Sequence, residues 1–496
     1  MNYRILISAI FYTALFLVLP LSASASTTYI PVGDEIYPLL DRLEAEGVIT
    51  SGLLNTRPIS RAEAERLYRE AEGNSAGSTL FVKDLVGSLR RRLGSSTTDP
   101  SKIGYGAAAY IRYIRTDTTL QALQYNNDGD KPAKGSNLRV GADLRLENAG
   151  PFALDLNPEF LDTGPERENI MHHGYAVVGI ARFDMVLGKD AQWWGPGRHG
   201  ALLLSNNADP FTMVRLTNPE PIVLPWVFKH LGDFRFSFFI TQLERDRDFP
   251  EPYLWGMRFD FKPGRTFEVG IHRTAILGGE GRPNDSSIWG KSLFPFFDAE
   301  NTGTIKEPGD QRAGFDLTWS IPAGRQPVQL YLEMDGEDEK NNLPNIWAWI
   351  GGVYLPRIGS WERLGFRFEV GSTMGRPLAP SVWYNHSIYT SGYTYNGRII
   401  GHHIGTDTRD LYFELSYHLP ERDSRFLIAY DRHEHNMRGP GSSEIDHEAI
   451  AGADMALSDH IGLKAFYNHA WVRNFGNQFA PMQEIGSFTC VVSYTF

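Results

Sequence analysis

From Tyr105 onward, apolar and polar residues alternate with period two, segment after segment. Tyr253, Trp255, Met257, Phe259 and Phe261 share one face, opposite Arg258 and Asp260. Phe315, Leu317, Trp319 and Ile321 oppose Asp316, Thr318 and Ser320, and Leu411, Phe413, Leu415, Tyr417 and Leu419 repeat the pattern. Side chains of a strand point alternately to its two faces, so this spacing predicts strands with one apolar and one polar side. A soluble sandwich also alternates, but its inner face favours Val, Ile and Leu. Here Trp and Tyr recur near strand ends, as in the aromatic girdles of membrane barrels, and the polar faces carry charges that suit a wet or plugged lumen. Short turns at 262–265, 322–325, 420–424 and 457–460 contrast with long loops around 117–137, 276–310, 372–408 and 432–447. The last segment, GSFTCVVSYTF, sets Phe488, Cys490, Val492, Tyr494 and Phe496 on one face. That face is expected to meet lipid, with Tyr494 and Phe496 as the membrane-insertion signal read by the barrel-assembly machinery. At about ten residues per strand and as many per connection, residues 101–496 hold roughly 16 to 20 antiparallel strands.

The other end of the chain fits an exported barrel. Arg4, an apolar run from Ile5 to Leu21 and Ala23-Ser24-Ala25 read as a signal peptide over 1–25, with an uncleaved anchor as the rival. Beyond it, no apolar run approaches the ~18 residues of a membrane helix. The single cysteine, Cys490, excludes an internal disulfide. The formal charge is -11, aromatic residues make up 12% and glycines number 49, a profile that points to an outer-membrane β-barrel and to no nucleic-acid partner. Residues 26–100 depart from the period of two. Asp34 precedes a helical pattern through Ile36, Leu39, Leu40 and Leu43; Ser60 and Glu63 form a capping box; and a third helix runs from about Thr79 to Arg90, Arg91 and Arg92. These three amphipathic helices predict a small bundle ahead of a barrel over 101–496.

One stretch stands apart from generic barrel sequence: WWGPGRHGALLLSNNADPFTMVRLTNPEPIVLPW, Trp193 to Trp226. Indole faces stack on pyranose rings, and Asn, Ser and Arg bind hydroxyls and carboxylates directionally. Trp193, Trp194, Arg198, Ser205, Asn206, Asn207, Arg215 and Trp226 are therefore the candidate polysaccharide-binding residues. The bland alternative is an aromatic girdle followed by a polar turn. Glu244, Asp246 and Asp248 alternate along a strand with Arg245 and Arg247, which reads as a lumen charge ladder or a barrel-sealing network, with no support for glycosidase catalysis by the carboxylates. His172-His173, His402-His403 and His433-Glu434-His435 invite a metal, and His433 and His435 share a face, but spacing indicates no third ligand, so no metal site and no cofactor are expected. No nucleophile motif appears, and no catalytic residue is assigned.

This block, together with FFITQLERDRDFPEPYLWGMR (238–258) and YIPVGDEIYPLLDRLEAEGVI (29–49) followed by RPISRAEA, resembles the Wzi-type capsule assembly proteins. The resemblance runs in order through nearly the whole chain after the leader. It implies an outer-membrane lectin: an all-β transmembrane barrel, of roughly 18 antiparallel strands, with a periplasmic α-helical bundle at its base. It also implies capsular or extracellular polysaccharide as partner, outer-membrane lipid around the wall, and a binding rather than enzymatic role. A porin or substrate-specific channel is the competing class.

Overall fold

The computed structural model describes residues 26–94, 102–118, 125–293, 309–340, 343–375, 382–437 and 441–496. The expected leader, 1–25, lies outside the described residues. Eighteen staves form one closed antiparallel barrel. They are β1 (Gly104–Thr116), β2 (Gly135–Ala149), β3 (Phe152–Asp162), β4 (Arg167–Ile180), β5 (Phe183–Asp190) and β6 (Phe211–Thr217). Next come β7 (Asp233–Gln242), β8 (Tyr253–Gly264), β9 (Phe267–Leu277), β10 (Asp310–Ile321), β11 (Val328–Lys340) and β12 (Leu343–Leu355). The last six are β13 (Leu364–Ser372), β14 (Arg409–Leu419), β15 (Ser424–His435), β16 (Glu444–Ala456), β17 (Ile461–Arg473) and β18 (Gln483–Thr495). A short piece, Ile222–Val223, extends the β6 stave against β7. The final strand closes the barrel on the first, with Ile111 opposite Val492 and Ala108 opposite Thr495.

The alternation read from the sequence becomes an inside and an outside. On β14, Asp410, Tyr412, Ser416 and His418 are buried in the lumen, whereas Phe413 and Tyr417 face outward and are exposed. Ile111, Val140, Phe152, Ile271, Ile428 and Val492 are among the exposed large apolar side chains of the outer wall. An apolar band of this extent is stable against acyl chains rather than water. No helix among the described residues is long and apolar enough to cross a membrane.

The turns at 150–151, 181–182, 265–266, 322–327, 420–423 and 457–460 all fall on one rim. Connections 191–210, 278–309 and 373–408 leave the opposite rim. Under the short-turn rim sit α1 (Ile36–Ala45), α2 (Arg61–Asn74) and α3 (Leu80–Leu93). Their apolar faces share one core in which Leu40, Leu43, Leu67, Leu85 and Leu89 are fully buried. Ser60 caps α2 by accepting from the Glu63 amide (3.0 Å). Glu63 does not reach back to complete the box; its carboxylate takes the Arg66 guanidinium at 2.7 and 2.8 Å instead. The arginines at the end of α3 dock the bundle on the rim. Arg91 clamps both carboxylate oxygens of Asp423, and Arg92 reaches Asp454.

The lumen is filled from both ends. From the bundle side, the Tyr29 hydroxyl donates to Asp184 (2.9 Å), Asn55 donates to Asp316 (2.9 Å) and Thr56 donates to Asp260 (2.7 Å). From the long-loop side, residues 191–210 fold inward until Trp194 and Trp193 pair antiparallel with Thr56 and Arg57.

Candidate functional site

The inward loop 191–210 gathers most of the residues singled out in the sequence, but it turns them toward protein. Trp194 is fully buried, edge-on to Phe239 with ring centroids 5.5 Å apart. The wall is shaped to it: a Cβ at Gly256 would come within 2.8 Å of the Trp194 ring. Trp193 is 4% exposed and spends its indole N–H on the Gly197 carbonyl (3.1 Å). Both indoles are thus turned toward protein and away from the outer surface, not held out on it as the stacking expectation needs. Both are buried by the same inward fold that fills the lumen, where apolar surface is removed from water.

Ser205, Asn206 and Asn207 are buried too, and each one ties loops together. The Ser205 hydroxyl donates to the Gly401 carbonyl (2.6 Å), Asn206 to the Asn126 carbonyl (3.0 Å) and Asn207 to the Ile399 carbonyl (2.9 Å). The polar turn thus knits the loops around 126 and 400 onto the plug. Arg198 grips Asp41 of α1 with two hydrogen bonds, 2.6 and 2.7 Å. Arg215 lies 4.5 Å over the Tyr29 ring, 3.4 Å from Asp190. Trp226 is 84% exposed on the short-turn rim, remote from the long loops. Trp193, Arg198 and Asn206 do meet at one open space, an interior cavity of about 330 Å³ between α1 and the wall. The ladder expected at 244–248 is not a strand: residues 243–252 form a loop. Pro250 and Pro252 lack the amide a ladder needs. Arg247 pairs with Glu244, while Asp248 accepts from the Thr390 amide.

A cavity of about 910 Å³ lies at the long-loop rim, lined by polar groups of both signs. Lys131, Arg139, His172 and Lys189 line it together with Asp128, Glu168 and Glu244. Arg139 is held by Glu159 and Asp130. Lys131 and Lys189, in contrast, donate to the carbonyls of Asn396 and Met171, and neither pairs with a carboxylate among the described residues. Burial would raise the Asp128 carboxyl, but the nearby His172 ring (3.4 Å) offsets this and holds it below the usual carboxylate range. A wide polar cavity with two cations uncommitted to carboxylates can take sugar hydroxyls and carboxylates together. No local motif marks it, because Lys131, Lys189 and Arg398 come from three distant segments.

A second unforeseen group is built around histidines. His433 groups with Asp431 of its own strand and Asp410 of the neighbouring one, while His199 and His403, from two loops, form a second set that shares Asp431. The expectation of no metal site rested on spacing within one segment, which cannot register a convergence of residues from separate elements.

Residues 112–481 match the family described as capsule assembly protein Wzi. A curated relative, an uncharacterized 55.8 kDa protein in the cps region of Klebsiella pneumoniae, is 28% identical over 323 residues, 63% of this chain. The chain spans 58% of that relative's length. Among solved structures, the Escherichia coli Wzi is an outer membrane protein involved in group 1 capsule assembly and a carbohydrate-binding β-barrel. It superposes with a TM-score of 0.76 at 20% identity, over 95% of this chain and 100% of that one. The Pseudomonas aeruginosa OccK5 (OpdH) matches at a TM-score of 0.48 and 12% identity, over 80% and 98% of the two chains.

Proposed function

This chain belongs to the capsule assembly protein Wzi family, and from that premise we propose that it is an outer-membrane lectin that binds capsular or exported polysaccharide and helps hold it at the cell surface. Membership of that family, carried on a barrel of the same fold as the carbohydrate-binding Wzi, is the observation that supports this reading most. In the proposed orientation the three helices lie in the periplasm and the long loops face outward. The role is binding, not catalysis. The channel alternative is disfavoured by the lumen, which residues 55–57 and loop 191–210 enter from opposite ends.

The polymer is proposed to lie in the 910 Å³ cavity of the outer rim, with Lys131 and Lys189 as contacts. The residues first read as binders act behind it: Ser205, Asn206 and Asn207 fix the loops, and Arg198 anchors the plug. A net charge of -11 opposes long-range attraction of an acidic polymer. Affinity then comes from local hydrogen bonds of about 1 kcal/mol each, multiplied by a long polymer engaging many copies. The test replaces Lys131 and Lys189 by alanine in cells that make capsule. Retained polysaccharide is expected to fall and released polymer to rise, with heat-modifiable gel migration unchanged. Unchanged retention by a folded variant would remove the cavity as the binding site. A large open conductance of the intact chain in a planar bilayer would favour the channel class.

A further inference from the structure

We propose that His199, His403, Asp410, Asp431 and His433 form a binding site for a divalent transition-metal ion of the Zn²⁺ class, which staples the lumen plug and an outer-rim loop to the barrel wall. His199 belongs to the inward loop 191–210, His403 to the loop between β13 and β14, and Asp410, Asp431 and His433 to adjacent strands β14 and β15. Candidate ligand atoms of His199, His403 and Asp431 all lie within 4.8 Å of one another, and so do those of Asp410, Asp431 and His433. Ligands bonded at about 2.0–2.1 Å around a tetrahedral ion sit roughly 3.3 Å apart. The distances from His199 Nε2 to Asp431 Oδ2 (2.8 Å), from His433 Nε2 to the same oxygen (3.1 Å) and from His199 Nε2 to Asp410 Oδ2 (3.8 Å) bracket that spacing. Small side-chain shifts would therefore admit an ion.

The cluster lacks what a purely structural network needs. Asp431 is fully buried and Asp410 is 3% exposed, yet neither pairs with a lysine or arginine among the described residues. His433 is 1% exposed; its Nε2 lies 3.1 Å from Asp431 Oδ2 but outside hydrogen-bond geometry, its Nδ1 has no hydrogen-bond partner, and both nitrogens of His403 are buried without one. Buried polar atoms are nearly always satisfied, and two adjacent buried carboxylates are costly without a cation. A divalent ion supplies both missing partners at once. Neighbouring rings hold the ligands in place: His199 stacks on Tyr412 and His403 on Tyr125, each at 4.0 Å between centroids. His403 also lines an outer cavity of about 470 Å³, a route for the ion from the surface. Imidazole and carboxylate donors together suit Zn²⁺, with other first-row divalent ions ranked by availability and intrinsic affinity.

The test uses the full folded chain in detergent, stripped by a chelator and re-equilibrated with Zn²⁺. One tightly bound ion per chain is expected by elemental mass spectrometry, with both imidazole nitrogen and carboxylate oxygen in its X-ray absorption shell. Asp431→Asn, and separately His199→Ala with His433→Ala, should each weaken binding at least 100-fold, while His435→Ala with Glu444→Gln retains the tight ion. Heat-modifiability on the same samples shows which variants are folded. Absence of a tight ion on the wild-type chain, a shell without imidazole, or unchanged Zn²⁺ affinity in a folded Asp431→Asn chain would overturn the site. The wild-type measurements decide the matter even if every variant misfolds.

Discussion

Arg198, on the loop that folds inward from the outer rim, forms a two-pronged ion pair with Asp41 of helix α1, at 2.6 and 2.7 Å. Asp41 also takes Arg57 at 3.1 Å. One buried carboxylate therefore joins the outer loop, the N-terminal lumen segment and the helical bundle. Burial raises the Asp41 carboxyl, but the two guanidiniums more than offset it and hold it below its ordinary range.

The two partners of this latch should not be equivalent. Asp41→Asn leaves Arg198 and Arg57 facing each other without their shared anion, a loss of about 3 kcal/mol or more for a broken buried pair. Arg198→Gln leaves Asp41 still paired with Arg57 and should cost less, about 1–2 kcal/mol. The temperature at which heat-modifiable migration is lost should fall more for Asp41→Asn. Equal losses would mean that Arg57 does not share the carboxylate.

Acid should loosen the bundle through Glu35. Its carboxylate accepts two hydrogen bonds from Arg425 at the barrel rim, 2.9 and 3.0 Å. Burial raises Glu35, but Arg425, Lys464 and Arg92 pull it from an ordinary value near 4.5 to about 2. A folded value below the unfolded one means stabilisation present above pH about 4.5 and lost as pH falls toward 2, on the order of 3 kcal/mol when complete. Hydrogen exchange in α1 should accelerate over that window, and Glu35→Gln should remove this part of the pH dependence. An identical acid response in the variant would assign the transition to other carboxylates.

Trp194 should behave as a core residue. With its indole fully buried against Phe239, Trp194→Ala is expected to cost about 3–5 kcal/mol by leaving a cavity. The folded variant should migrate as a less heat-resistant barrel and retain as much polysaccharide per molecule as the wild type. Lower retention by a barrel of unchanged stability would restore a direct role for the indole.

How much was legible follows from which contacts are local. The strands were readable because each residue of a two-faced wall sees either lipid or lumen, so outward Phe413 differs in type from inward Asp410, Ser416 and His418. The helices were readable for the same reason at a different period. The Trp193-Trp194 block was recognised as special, and it is, but as packing: nothing in a one-dimensional pattern separates an indole held against a lumen wall from one held out to a sugar. The strand read at 244–248 is a loop in which Arg247 pairs with Glu244 and Asp248 accepts from the Thr390 amide, contacts that alternation of charge does not reveal. Lys131, Lys189 and Arg398 reach one cavity through the closure of the barrel, as do His199 and His433 in their cluster, and no spacing rule reaches across that distance.

Gly129 offers a way to disturb the outer cavity without touching the barrel. It lies in the loop between β1 and β2, at φ 74°, a conformation that L side chains rarely adopt. An added Cβ would stand 2.2 Å from the Asp209 carboxylate oxygen and 2.5 Å from the Asp209 amide nitrogen, so the loop could not keep its seat. Asp128 and Lys131, on either side of Gly129, line the cavity, and the Asp128 amide is tied to the Asn206 carbonyl at 2.8 Å. Gly129→Ala should displace both lining residues at a cost of about 1–3 kcal/mol in local strain, confined to the rim. Heat-modifiability is then expected to stay close to wild type while retained polysaccharide drops, as in the variant lacking Lys131 and Lys189. Combining all three substitutions should add little further loss, since each removes the same contacts. Full retention by the Gly129→Ala chain, with hydrogen exchange showing the loop displaced, would move the polymer site elsewhere on the long-loop rim.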